Sequence, residues 1–322
     1  MVHFEKQTYG SESKGEGYEA RQIEKLSESL GEVAEHLQEN DGLPVNPVSC
    51  CVDMGDSSFE KKKTEDGEIG AHSKDRIQED IEFAKREAER DGKRYELDIS
   101  AEEFDGNLLD DKREQLEVAT VLMFFEFLKK EFIVVRASPH DRHENGVGIL
   151  IIHRDTGNVV CGITETEDKK GEGVEGLESN VVETNAGDRG VYIDYGFRLE
   201  RKEGGKSRFA PAALSNVPVF YLPLSSDYVT RVRNAMTGSS DKAALSERDE
   251  FARILSLLLD EEIPDVEDGL RQQFGVVRGG TGISELNAVQ GRVNTFRDAL
   301  KGARDSLGLS DVSLGAEKRE AA

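Results

Sequence analysis

The sequence predicts an α+β or α/β fold, with a central sheet built on a helix and a β-hairpin and a C-terminal helical subdomain beyond it. Three observations carry that prediction. Residues 111–130 hold Leu116, Ala119, Val121, Leu122, Phe124, Phe125 and Leu128, which cover most of a helix circumference and mark a helix buried at the centre, with Glu117 at its rim. Residues 131–170 follow with three apolar runs separated by turn chemistry, ending in a cluster of carboxylates and a lysine. From residue 239 onward the apolar spacing is helical throughout.

Taken in order, residues 1–18 are rich in Gly, Ser and Glu and read as a flexible tail. Ala20, Ile23, Leu26, Leu30, Val33 and Leu37 then recur at helical spacing and open a mainly helical region over 19–110. Within it, Pro44, Pro47 and the Lys61-Lys62-Lys63 run make 41–72 loop-like. Residues 73–94 form a charged helix whose apolar contacts are Ile77, Ile81, Phe83 and Ala84.

The α/β core spans 111–236. It comprises the central helix, a strand at 132–137, a hairpin over 145–167, a Gly- and acid-rich mobile loop over 170–189, and strands at 191–200 and 217–223. A helix capped at Ser225-Ser226-Asp227 closes it. The helical subdomain, 237–308, contains helices at 244–259, 266–274 and 284–307, separated by Pro264 and the glycines of 278–282. Its helices are candidates for a homo-oligomeric or protein-partner interface, and 309–322 reads as a second flexible tail.

Charge bounds the function. The 322 residues carry 65 acids against 42 bases, a net charge of -23. That excludes a broad basic footprint for nucleic acid and leaves only a local site. The acids are spread along the chain, as in proteins of halophilic organisms, whose carboxylate surfaces stay hydrated in high salt; the competing explanation is an acidic surface that mimics DNA. No stretch approaches the roughly 18 apolar residues of a membrane span, and residues 1–17 lack a signal peptide's apolar segment, so a cytoplasmic protein without a membrane partner is expected. Three cysteines, two of them adjacent at Cys50-Cys51, make neither a disulfide framework nor a metal motif and read as reduced and structural. Hydrolases built on GxSxG, HExxH or a Walker lysine are excluded by the absence of those motifs.

The hairpin is the one place where a site can be argued. If Thr156-Gly157 form its two-residue turn, Ile163 falls opposite Leu150, Glu165 opposite Gly148, Glu167 opposite Gly146 and Lys169 opposite Glu144. One face then carries Leu150, Ile152, Cys161 and Ile163, followed by Glu144, Glu165, Glu167 and Lys169. A three-residue loop would turn one strand over and disperse the set. Carboxylates gathered at the end of an apolar strand face repel one another unless a cation sits among them, and magnesium with oxygen ligands is the usual solution. A lysine two residues beyond a ligand points to the same side, where it can act on a water or a phosphate.

With Glu167-Asp168-Lys169 as an acid-x-Lys element on the last strand of a three-strand meander, the chain resembles the PD-(D/E)XK nuclease superfamily over about 111–236. Its core is a helix, a meander, a helix and a further strand. The resemblance implies Mg²⁺ as cofactor, Glu167 and Lys169 as catalytic residues, and Glu144, Glu165, Glu167 and Asp141 as the candidate metal ligands. The family's acid at the start of the second hairpin strand is missing, the positions there reading Asn145-Gly146-Val147-Gly148. Glu144 is the acid oriented to replace it, with Asp141 next, and Glu165 can stand in for Glu167. Other acid-x-Lys matches, such as Glu60-Lys62 and Glu200-Lys202, lie in charged turns or on a solvated strand face. A second constellation, His140, His143 and His153 beside Asp141 and Asp155, has zinc-ligand chemistry but needs the loop after Pro139 to fold along the strand. The sequence thus points to a metal-dependent nuclease-like protein acting on phosphodiesters; the alternative is a non-catalytic structural or interaction protein, viral or defence-related, on a similar core.

Overall fold

The computed structural model describes residues 13–64, 67–94, 112–167, 180–201, 207–224, 241–277 and 279–309. Helix α1, Ser13–His36, widens into a π-type turn at Leu37–Asp41 that closes on the left-handed Gly42. It starts inside the stretch expected to be a flexible tail. Its buried stripe is the expected one, with Leu26, Leu30, Val33 and Leu37 against the core. A small hairpin, β1 (Lys62–Thr64) and β2 (Gly67–Ile69), precedes the charged helix α2, Lys74–Arg94.

Helix α3, Lys112–Leu128, is the central buried helix: Val118, Ala119, Val121, Met123 and Phe124 are all inaccessible. Strand β3, Phe132–Arg136, returns along it and leads through the short helix α4, Pro139–Glu144, to β4, Ile149–His153, and β5, Val159–Glu167. After a buried helical turn comes a long ribbon, β6 (Val191–Arg201) with β7 (Ser207–Val217), and then β8, Val219–Leu224. The main sheet has the order β3-β4-β5-β8, an antiparallel meander with β8 added parallel to β5. Strands β3, β4 and β8 are apolar runs and β5 is one up to Ile163, as a sheet covered by helices requires.

The remaining helices are α5 (Asp241–Ser256, continued by a π-type segment Leu257–Glu262), α6 (Ile263–Val276) and α7 (Gly280–Ser306). They pack on the core through aromatic rings. Phe251 of α5 stacks on Phe127 at 4.5 Å, and Phe296 of α7 meets Phe132 and Phe220 at 5.9 and 5.4 Å. The fold is α+β, with the C-terminal helices sharing the hydrophobic core of the sheet. No helix among the described residues is long and apolar enough to cross a membrane.

Three expectations are corrected. The hairpin turn is longer than two residues: His153 N donates to Asn158 O at 2.9 Å and Gly157 N to His153 O at 2.7 Å, so residues 154–157 form the loop. Gly157 has φ +63, and a Cβ there would run into Leu199 of β6, so glycine is required by both conformation and space. Beyond the turn, β5 takes a bulge at Val160, where Ile152 pairs with Val159 but Ile151 with Cys161. The bulge does what an odd loop would have done. Ile163 lies opposite Ile149 rather than Leu150, so the facing order predicted for the strand end is displaced by one.

Second, the described part of 170–189, residues 180–189, is a helical turn at 180–182 running into a π-type turn at Glu183–Gly187, with Asn185 and Ala186 buried. Gly269 of α6 lets it approach, since a Cβ there would touch Val182 at 2.8 Å and Ala186 at 3.1 Å. Asn185 fixes the entry to β8 by accepting from Val219 N at 2.8 Å and donating to Val219 O at 2.7 Å. Third, β7 was not marked by the sequence, because its alternation is interrupted by Pro211 and small residues. The helix expected after Ser225 lies outside the described residues.

Candidate functional site: two buried polar clusters around helix α4

Helix α4 is set up locally. Ser138, in an extended conformation, caps it by accepting from Asp141 N at 3.0 Å, and Pro139 occupies its first turn. Its next three residues then enter three different surroundings. His140 faces α2 and β6, Asp141 faces the β6 backbone, and Arg142 faces α3.

Arg142 belongs to the first cluster. Glu114 and Glu117, three residues apart on α3, share a face that receives Arg136 from the end of β3 and Arg142 from α4. Arg136 Nε donates to Glu117 Oε1 at 2.7 Å, Arg142 lies 2.9 Å from Glu117 Oε2, and both arginines bond Glu114. Arg136, 1% exposed, also donates to Ser49 O at 3.0 Å. Burial alone would raise the Glu114 carboxyl, but the two guanidinium charges win and hold it at about 2.

Glu165 of β5 completes the cluster without a cation of its own. Gly148 is the close neighbour: a Cβ there would sit 2.9 Å from Glu165 Oε2 and 3.2 Å from Glu117 Oε2. Glu165 Oε1 is buried with no hydrogen-bond partner. Burial, then the charge of Glu117, push its pKa up to about 8, so at neutral pH it is held mainly as the neutral acid.

Asp141 is a backbone clamp. Its carboxylate accepts from Ser138 Oγ (2.7 Å), Asn145 Nδ2 (2.8 Å), Asp194 N (2.8 Å) and Tyr195 N (3.1 Å), tying α4 to β6. Burial raises its pKa despite those donors.

His140 anchors the second cluster. Its Nε2 is 3.3 Å from Asp194 Oδ2 and its Nδ1 3.7 Å from Asp80 Oδ1, and neither nitrogen has an aligned hydrogen bond. Tyr195 Oη donates to Asp80 Oδ2 at 2.9 Å, Arg76 Nε to the same oxygen at 2.8 Å, and His72 Nε2 lies 2.7 Å from Asp194 O. Burial opposes a charge on His140, but Asp194, Asp80 and Asp141 outweigh it and raise its pKa.

Comparison with protein family models, with curated proteins and with solved structures finds no match to this chain.

Among the described residues, the predicted metal ligands are not brought together. Glu144 is exposed at the end of α4, the four donors to Asp141 leave it no role as a metal ligand, and Glu165 sits beside Glu117 in the arginine cluster. Glu167 ends β5 opposite Leu224, its side chain and the whole of Lys169 lying outside the described residues. Among the described residues no group of three His, Cys, Asp or Glu side chains is placed to hold a metal ion. The histidines also separate: His153 accepts from Thr156 N at 3.3 Å at the turn end, far along the strand from the His140 surroundings. All three cysteines are free and buried, with burial pushing the Cys50 thiol up to about 12, as structural thiols require.

Sequence reasoning placed Glu117 at the rim of its helix, whereas it is 3% exposed, and missed Arg136, Arg142, Asp80, Asp194 and Tyr195. Two signals were legible: an arginine closing the apolar run Phe132–Arg136, and an aspartate within the apolar start of β6.

Proposed function

We propose that this protein is a non-catalytic structural or interaction protein built on a nuclease-like α/β core. The observation that carries the reading is the pairing of Arg136 and Arg142 with Glu114 and Glu117, because guanidinium groups fill the place a divalent cation would take among buried carboxylates. Gly148 adds to it. The residue that faces both Glu117 and Glu165 has no side chain to offer a further ligand. The element order supports the core assignment: a buried helix, an antiparallel meander, a helical turn and a strand parallel to the meander's last. A net charge of -23 favours cationic partners and disfavours polyanions.

Magnesium-dependent phosphodiester cleavage is the competing reading, and one observation favours it: the unpartnered Oε1 of Glu165 beside Glu117. The donor set does not fit a magnesium ion, which takes near-octahedral oxygen ligands, since both Glu117 oxygens are occupied by arginine. The test is calorimetric titration with Mg²⁺ and Mn²⁺ together with cleavage assays on single- and double-stranded DNA and RNA. No saturable binding and no cleavage are expected. Stoichiometric metal binding lost in Glu165→Gln, with cleavage lost in Lys169→Ala, establishes the nuclease instead.

A further inference from the structure

Helix α2 has little apolar surface to hold it. Ile77 and Ala84 are buried, Ile81, Phe83 and Ala88 are partly buried, and most of the remaining residues are charged. Its attachment therefore leans on Asp80, which meets Tyr195 of β6 and His140 of α4, and on Arg76, which bonds Asp80 and lies 3.8 Å from Asp194. The phenyl ring of Phe83 packs edge-on against the His140 imidazole at 5.5 Å. The same helix walls a half-open pocket of about 210 Å³ with Ile81, Ala84 and Lys85, lined on the other side by Cys51, Met54 and Pro139.

We propose that His140, seated between Asp80 of α2 and Asp194 of β6, is a pH-sensitive latch that holds α2 against the sheet and releases it in alkaline solution, widening the pocket beside it. The charged form of the ring joins two carboxylates from different elements; the neutral form leaves those carboxylates facing each other across a buried imidazole.

The groups around the ring fix the direction. From α2 come Asp80 and Arg76, from β6 Asp194, Tyr195 and the more distant Tyr192, from α4 Asp141, and from the segment before α2 His72. Burial and the Asp80 carboxylate push the Tyr195 hydroxyl up, so it stays protonated and keeps donating. Because the folded His140 pKa is raised, its contribution is complete below its ordinary value and is lost as pH rises through the folded value. Burial would raise Asp194 but His140 and Arg76 lower it, so that half of the latch fails only in acid. The arginine cluster does not enter the latch, which stands whether or not that cluster takes a metal.

The test is amide hydrogen exchange of the full chain between about pH 6 and pH 9, corrected for intrinsic exchange, comparing α2 with α7. Protection of α2 is expected to fall roughly three- to tenfold more than that of α7 as pH rises. In His140→Asn it should be low and flat across the range. Asp194→Asn should move the midpoint to lower pH, since one carboxylate fewer holds the proton, and this decides the matter if the His140 variant does not fold. Glu165→Gln and Glu262→Gln, which remove the two carboxyls that burial raises to about 8, should each leave the α2 response intact. The latch is overturned if α2 tracks α7 at every pH, if the response survives in His140→Asn, if the Asp194→Asn midpoint does not move, or if Glu165→Gln or Glu262→Gln abolishes it.

Discussion

The two buried clusters flanking α4 hold charge in different ways. Around α3, Glu114 and Glu117 are compensated by arginines, which stay ionised at any pH a protein survives. Around α2, Asp80 and Asp194 are compensated by Arg76 and by a histidine whose charge is conditional. The first joins a core helix to two elements of the sheet layer; the second joins a marginal helix to that layer. Permanent compensation lies on the buried core helix, and conditional compensation on the helix with less buried apolar surface.

The largest break in this comparison is Arg136→Met. It leaves Glu114 and Glu117 short of a cation in a dry site and should cost about 3–5 kcal/mol, read from urea unfolding. Asp141→Ala should cost less, about 2–3 kcal/mol, since it strands the Asp194 and Tyr195 amides that join α4 to β6. Thermal unfolding of the variant measures this.

Glu165→Gln sharpens the comparison through pH. The carboxyl, raised from 4.5 to about 8, binds a proton in the folded state that the unfolded chain has released. Its contribution is therefore full below the unfolded value and is lost as pH rises toward 8. The variant, near wild type in acid, should gain on it steadily up to that pH in parallel denaturation series. Glu262 is raised to about 8 by burial in the same way, so it shapes both curves equally and cancels in the difference. The smallest effect is expected at Glu144→Ala, within about 0.5 kcal/mol either way, because the side chain is exposed. A loss of several kcal/mol there means that Glu144 works in a site after all.

Much of the scaffold was legible. The buried circumference of α3, the stripe of α1, the apolar strands and the three C-terminal helices follow from periodicity, since burial of an apolar face is decided locally by residue spacing. Chemistry at the strand end was less legible because it hung on one joint. A turn over 154–157 followed by a bulge at Val160 displaces every pairing beyond it, and no local pattern of Val, Ile and Gly distinguishes that path from a two-residue turn.

What the sequence alone determined is a mixed class, α+β or α/β, the central helix and hairpin, and a net charge of -23. These depend on composition and on neighbours within a few residues. Only the tertiary structure decided which acids meet which bases. Glu117 and Arg136 are 19 residues apart and Tyr195 and Asp80 are 115 apart, distances over which no sequence period carries information. The same residue types could have gathered around a metal. They gather around three arginines and a histidine, of which α4 supplies Arg142 toward α3 and His140 toward α2 and β6.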